Sequence, residues 1–330
     1  MGATTTARAR PAVPPLSRVL GSGTLIVLVI YVLMFAVYAT QQPGALSGGS
    51  IAELCNNALP LALASAGGTL VVLTRGFDLS VAGIVPLANV LVATQVGEGW
   101  QGALLGLVIV VGIGLVVGAI NGFLVAYARL QSIASTLATM IVCSGLALLV
   151  LDAPGGTVPD FIAYGLTDVV AGVPVAALIV AAVVLLWLAL QRTDWGVALY
   201  AVGADETAAA LAGIKTRRVK FLAYCLAGVF YGLAGYMLSA LTATGNPNAG
   251  QSYLLLMFAA IAIGGTAFSG GRGGVVGSII GAATLTLLQK VLFSSGVSSF
   301  YTGIFQGLVM IVAVLVAAFS AHLARARAGA

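Results

Sequence analysis

Stretches of about 20 apolar residues recur along the whole chain, and a stretch of that length crosses the hydrocarbon core of a bilayer as one helix. Backbone in lipid has no water to bond, so only helices and closed barrels span membranes. Barrel strands alternate lipid-facing and lumen-facing residues, whereas these runs are apolar throughout, so the barrel is excluded. Composition agrees: of 330 residues, 60% are hydrophobic and 7% charged, and the mean hydropathy is +1.12. No soluble globular domain is so apolar. The chain is read as an all-α polytopic membrane protein.

About ten transmembrane helices are predicted, at residues 20–39, 51–73, 79–96, 102–128, 131–150, 172–191, 220–241, 252–268, 274–293 and 301–322. Cations concentrate on the cytoplasmic side of membrane proteins. With the N-terminus inside and the spans alternating, all 14 Lys and Arg residues except Lys290 fall on the inner face. Glu53, Glu98, Asp152, Asp160 and Asp168 fall outside. Both termini are therefore expected in the cytoplasm. Residues 1–18 read as a disordered tail, 19–323 as a single membrane domain, and 324–330 as a second tail. The first span follows Arg8, Arg10 and Arg18 as a signal peptide would, but it is long and lacks a clear cleavage site, so it reads as retained. The net charge of +5 marks the inner surface and lipid contact, not nucleic acid.

Metal and disulfide chemistry find no support. The three cysteines, Cys55, Cys143 and Cys225, lie far apart in apolar segments, and His322 is the only histidine. No cofactor is expected. Lys290 is the one cation inside a span rather than at its inner edge, and it lies near the outer end, where a long side chain can snorkel to the interface. Glycines repeat every four residues in the fourth span (Gly102, Gly106, Gly114, Gly118, Gly122), and pairs recur as Gly228 and Gly232, Gly277 and Gly281, and Gly303 and Gly307. Such spacing lets helix backbones approach closely in lipid.

Three stretches break the apolar pattern. "RGFDLSVAG", residues 75–83, forms a short inner turn between spans two and three. Asp78 and Ser80 stand at the start of the third span, where a carboxylate favours the positive end of the helix dipole. Arg75 is within reach of Asp78 or of lipid headgroups. "AIAIGGTAFSGGRGGVVGS", residues 260–278, forms a second inner turn with Gly264, Gly265, Thr266, Gly270, Gly271 and Arg272. It is not a nucleotide loop, because no Gly-Lys-Ser/Thr follows. The longest inner loop, 192–219, holds Asp205 and Glu206 before an alanine run, Gly213 after it, and Lys215, Arg217 and Arg218 beyond. Acids first, glycine last and cations beyond are the marks of a short helix. Such a helix lies on the membrane surface or docks in a groove of a cytoplasmic protein.

Taken together, these three stretches resemble the permease subunits of bacterial sugar ABC importers of the ribose type. That family shows Gly-Gly-Ile-Asp-Leu-Ser-Val-Gly where this chain has Arg75, Gly76, Phe77, Asp78, Leu79, Ser80, Val81 and Ala82. Its Gly-Gly-Thr-x-x-x-Gly-Gly element is matched by Gly264, Gly265, Thr266, Gly270 and Gly271, and its Val-Gly-x-Asn-x-x-Ala-Ala-x-x-Ser-Gly-Ile loop by Val202, Gly203, Ala208, Ala209, Gly213 and Ile214. The chain departs at Asp205 for Asn and at Ala212 for Ser. The resemblance implies two permease chains forming a pore, identical or homologous. It also implies cytoplasmic ATP-binding subunits docking on a coupling helix at 203–214, and an extracytoplasmic sugar-binding protein delivering the solute. Such a chain is a pore subunit, not an enzyme.

A neutral sugar needs amides and hydroxyls along its path. Asn56, Asn57, Asn89 and Asn121, with Gln289 and Gln306, are the candidates, each better suited to helix–helix hydrogen bonding than to lining the path. The scarcity of charge within the spans disfavours an ion-coupled transporter working alone. A permease for nucleosides or branched-chain amino acids is the other alternative.

Overall fold

A computed structural model describes residues 22–296 together with Tyr301, Ile304, Gly307, Leu308 and Ile311. The expected tails at 1–18 and 324–330, Gly303, Gln306, and most of the expected tenth span lie outside the described residues. The described elements are α1 (Ser22–Gln41), α2 (Gly48–Leu73), α3 (Val81–Gln95), α4 (Gly99–Ala126), α5 (Ser132–Val150) and α6 (Asp160–Thr167). A hairpin of β1 (Val169–Val170) and β2 (Val173–Pro174) comes next. After it run α7 (Val175–Leu190), α8 (Asp194–Ala204), α9 (Glu206–Leu211), α10 (Thr216–Thr242), α11 (Gly250–Ile263) and α12 (Val275–Ser294).

The architecture is helical, as the apolar runs require. Among the described residues, six helices are long and apolar enough to cross a membrane: α1, α2, α4, α5, α10 and α12. The pair α7 and α8, bent by 79°, makes a seventh if counted as one broken span. Expected spans three and eight come out short, with 15 residues in α3 and 14 in α11. At 1.5 Å per residue these reach roughly 22 and 21 Å, less than the roughly 30 Å hydrocarbon core. Each loses its length at the end rich in Arg and Lys, hereafter the basic end, where irregular turns (74–80 and 264–274) replace helix. Non-helical backbone at that depth is tolerated where protein covers it. Thr74, Gly76, Asp78 and Ser80 in the first turn are indeed buried.

Two further departures concern loops. The expected outer loop 151–171 is partly ordered into α6 and the hairpin, whose register pairs Val169 with Pro174 and Val170 with Val173. Ala171 and Gly172, both at positive φ, close it as a two-residue turn of the type that follows strand twist. The expected inner loop 192–219 holds α8 as well as the short helix that the acids and glycine announced.

α2 forms the centre of the bundle, buried along most of its length, with α7, α10, α11 and α12 packed about it. Small residues make this possible. On α4 the buried positions are Gly102, Gly106, Val110, Gly114, Gly118, Gly122 and Ala126, together with Asn121, so a stripe of period four lies against α10. An added Cβ at Gly114 would stand 2.1 Å from the carbonyl oxygen of Gly228, and one at Gly232 would stand 2.2 Å from that of Val110. Gly281 and Gly277 make equally close approaches to Ala260 and Gly264. The opposite faces of α1, α4 and α5 carry exposed leucines, valines and isoleucines such as Leu33, Val108, Val116, Ile141 and Leu149. With lipid as solvent these faces cost nothing, because lipid chains are as apolar as the side chains.

Candidate functional site

The three stretches that interrupt the apolar pattern converge at the basic end. The junction of α8 and α9 lies between the turns 74–80 and 264–274. The Gly271 amide donates to the Leu73 carbonyl at 3.0 Å. Gly203, the penultimate residue of α8, leaves so little room that an added Cβ would lie 1.8 Å from the Leu73 oxygen and 2.5 Å from the Gly271 nitrogen. The Tyr200 hydroxyl, one turn earlier, donates to the Gly273 carbonyl at 2.8 Å. Gly270, Gly271 and Gly273 all hold positive φ, which glycine adopts without steric cost.

Arg75 joins all three pieces. Its Nε donates to the Ser269 carbonyl at 2.7 Å, and its Nη2 donates to the carbonyl of Ala204. Its backbone is left-handed, with φ of 63°. The expected pairing with Asp78 is replaced by these carbonyl contacts. The guanidinium's fork of donors suits two carbonyls whose helix or turn leaves them unpaired.

Asp78 lies inside the protein, 1% exposed, so it is not a charge at the surface of the short inner turn. Its Oδ1 accepts from the Ser80 amide and hydroxyl, and its Oδ2 is buried without a partner. Burial pushes the carboxyl up from 3.8 to about 6, against the lowering effect of the Ser80 bonds. Ser80 Oγ in turn accepts from Asn121 Nδ2 at 3.0 Å, and Asn121 Oδ1 accepts from the Thr139 hydroxyl at 2.8 Å. The turn's own amides are satisfied from α5: Phe77 by Ser132 Oγ at 3.3 Å and Leu79 by Thr136 Oγ1 at 3.0 Å. Thr266 and Ser278 extend the polar packing. The Gly274 amide donates to Thr266 Oγ1 at 3.1 Å, and Ser278 Oγ accepts from Thr69 at 2.7 Å. Gly264 packs on Gly277, Gly265 turns at positive φ, and Arg272 is exposed.

α9 has defined ends. Asp205 caps it, its Oδ1 accepting from the Ala208 amide at 2.9 Å. Beyond it, Gly213 at φ 83° and the bonds Gly213 N to Ala210 O and Ile214 N to Ala209 O close a Schellman motif. Glu206 forms an ion pair with Lys220 of α10. Ala209 is buried, Ile214 is half-buried against the core, and Ala208 and Leu211 are exposed, Leu211 to 86%. The expected segment 203–214 is therefore not one helix. Extended backbone at Asp205 (φ −158°) breaks it, and Gly203 belongs to the buried seam of α8 rather than to the exposed face of α9.

The asparagines divide into two sets. Asn89 and Asn121 are fully buried between helices. Asn89 Nδ2 donates to Ser239 Oγ at 2.9 Å, and its Oδ1 accepts from the Asn246 amide at 2.6 Å. These two are cross-links of the bundle. Asn56 and Asn57 instead line a cavity of about 430 Å³ at the end opposite the basic one, between α2, α6 and the end of α10. Lys290, expected to snorkel alone, forms an ion pair with Glu53 on the rim of that cavity. Sequence reasoning missed Tyr200, Ser269 and Leu211. The Thr193-Asp194 pair that caps and opens α8 was the available sign of a helix carrying Tyr200.

Residues 50–314 match the protein family described as branched-chain amino acid transport system / permease component. The chain belongs to this family. The ribose import permease protein RbsC of Bacillus subtilis is 38% identical over 288 residues, covering 86% of this chain and 89% of the relative. RbsC of Escherichia coli K12 is 32% identical, covering 88% and 92%. The fructose import permease protein FruF of Bifidobacterium longum is 29% identical, covering 92% and 89%. No solved structure matches the chain. As a permease component of an import system, the chain is a multi-pass inner-membrane translocation subunit, and ATP hydrolysis resides in separate subunits.

Proposed function

We propose that this permease carries a monosaccharide inward by alternating access, driven by ATP-binding subunits that dock on α9. The observation that carries the ATP-driven reading is the build of α9. It is a short helix capped at both ends, with Leu211 presented outward, and it follows directly on the end of α8, where Gly203 is wedged against two turns that lead into membrane helices. Displacement of α9 is passed through the Gly203 seam and Arg75 to the turns before α3 and after α11. A two-state rearrangement of packed helices then exposes the path alternately to each side.

Further parts of the reading rest on the apolar runs, the placement of the cations and the resemblance to ribose-type permeases. The permease has ten spans with both termini cytoplasmic, a tail at 1–18, one membrane domain at 19–323 with the coupling loop 192–219, and a tail at 324–330. It works as a pair, with itself or with a homologue, and receives solute from an extracytoplasmic binding protein. The site residues are Asp205, Glu206, Ala208, Ala209, Gly213 and Ile214 for coupling, with Gly203, Arg75, Asp78, Ser80, Gly264, Gly265, Thr266, Gly270, Gly271 and Arg272 as the support beneath.

The sugar is favoured by the names of the relatives in Bacillus subtilis, Escherichia coli and Bifidobacterium longum. The family description favours a second reading, a branched-chain amino acid. The deciding experiment reconstitutes the chain with its ATP-binding subunits and binding protein in liposomes and offers labelled ribose, fructose and leucine. ATP-dependent uptake of a sugar is expected. Leucine uptake alone, or uptake by the chain without ATP-binding subunits, overturns the proposal.

A further inference from the structure

The cavity of about 430 Å³ at the end of the bundle away from the basic turns has a wall that neither packing nor coupling explains. Its volume falls within the range of small-molecule sites, roughly 300–1,000 Å³. α2 contributes Glu53, Asn56 and Asn57, and α6 contributes Asp160, Tyr164 and Thr167, while Ala240 and Leu241 at the end of α10 and Ala243 just beyond it form the floor. We propose that this cavity is a transit site for a neutral, polyhydroxylated solute. The inference rests on the import reading above and names where in this chain the solute stops.

Three features specify the ligand class. The first is charge. Glu53 is paired with Lys290, and the described lining holds no cation of its own, only the further carboxylate of Asp160. The rim cation Lys290 is already engaged by Glu53, so a phosphorylated sugar, or the carboxylate of an amino acid, finds no free counter-charge and meets Asp160 instead. The second is hydrogen bonding. Thr167 Oγ1 donates to the Ala163 carbonyl and Asn57 Nδ2 to the Glu53 carbonyl, which leaves the Asn57 oxygen and second N–H, the Tyr164 phenol and the Thr167 oxygen as acceptor to meet a hydroxyl-rich ligand. The Tyr164 side chain, 71% exposed, also presents a ring face for the apolar C–H side of a sugar.

The third feature is an unfinished amide. Asn56 Nδ2 donates to the Thr167 carbonyl at 2.8 Å and so ties the end of α6 to α2. Its Oδ1 is buried without any partner. A buried acceptor left unpaired raises the free energy of the arrangement that holds it. When α6 and α2 separate, that oxygen is freed to accept from a solute hydroxyl. The wall therefore holds solute weakly in one arrangement and better in another, which is the requirement for a site on a path rather than a sink. Polar, uncharged contacts alone keep the residence short.

The test uses the complete importer in liposomes, with labelled D-ribose and D-fructose as probes, and reads molecules imported per ATP hydrolysed. Three variants are compared: Asn57→Leu, Tyr164→Ala and Gly49→Trp. The last two alter exposed positions, and an added Cβ at Gly49 meets nothing within 4 Å, so its indole fills the cavity mouth without disturbing the core. The import-to-hydrolysis ratio is expected to fall about tenfold in Asn57→Leu and Gly49→Trp, with a smaller fall in Tyr164→Ala that Tyr164→Phe restores. If wild type imports sugar and all three variants keep its ratio, the cavity is not on the path. If wild type imports neither sugar, the import reading itself fails.

Discussion

The Nε of Arg75 donates to the carbonyl of Ser269 at 2.7 Å, a contact between residues 194 apart in sequence. The same guanidinium reaches Ala204 at the end of α8, so one side chain fastens the first turn to both other elements at the basic end. Arg75→Gly keeps the left-handed backbone free of strain and removes only the clamp. Its melting temperature in detergent should stay near wild type while ATP-driven uptake falls roughly 2- to 30-fold, the range for a residue that transmits coupling of 0.5–2 kcal/mol. Arg75→Lys should recover part of the loss, because an ammonium reaches one carbonyl and lacks the fork. Equal uptake in wild type and Arg75→Gly would show that the fastening transmits nothing.

The membrane-embedded nature of the chain was legible from the apolar runs, and α9 from Asp205, the alanines and Gly213. Those signals are local: a solvent's length scale in the first case, capping chemistry in the second. The convergence of residues 74–80, 203–205 and 264–274 was not legible, because it depends on how helices distant in sequence pack. Arg75 illustrates the difference. Near Asp78 in sequence, it reads as an ion pair, but left-handed backbone turns it away and burial closes Asp78 off. Asn89 and Asn57 illustrate it again. Both sit in apolar surroundings in sequence, and only the packed bundle separates a cross-link from a cavity wall.

The glycine stripe on α4 gives a matched pair of variants. Gly114 faces Gly228 with 2.1 Å between its missing Cβ and the facing carbonyl oxygen, whereas Gly112 has nothing within 4 Å. Gly114→Val forces the helices apart and should cost about 1–3 kcal/mol or more. Gly112→Val should be neutral or slightly stabilising in lipid or detergent. Thermal unfolding of the two variants, followed by tryptophan fluorescence, checks the register of the α4–α10 seam. Equal melting temperatures would mean that the seam is misassigned.

Asp78 sets a pH dependence with a definite sign. Its folded carboxyl titrates at about 6 against an ordinary 3.8. Between those values the folded chain holds a proton that the unfolded chain has released, so stability falls as pH rises from about 4 to 6 and is flat above. The size is roughly 3 kcal/mol. Asp78→Asn is neutral at every pH and removes this slope. Melting curves at pH 4.5 and pH 7 should therefore diverge for wild type more than for Asp78→Asn. A variant as pH-sensitive as wild type would assign the slope to another group.

The docking role of α9 separates into a fold effect and a surface effect. Asp205→Ala removes the oxygen that accepts from the Ala208 amide and should cost about 0.5–2 kcal/mol locally, unravelling the first turn. Asp205→Asn keeps a capping oxygen and should behave as wild type. Leu211 is 86% exposed and supports nothing within the chain, so Leu211→Glu should leave the melting temperature unchanged. If α9 seats in an apolar groove of an ATP-binding subunit, Leu211→Glu buries a charge there and should abolish co-purification with that subunit. Asp205→Ala should weaken the same co-purification by about tenfold or less, because the helix re-forms on binding at the cost of the lost cap. Retention of the ATP-binding subunit by Leu211→Glu at wild-type levels would move the docking surface elsewhere, to the exposed Arg217 and Arg218 at the start of α10.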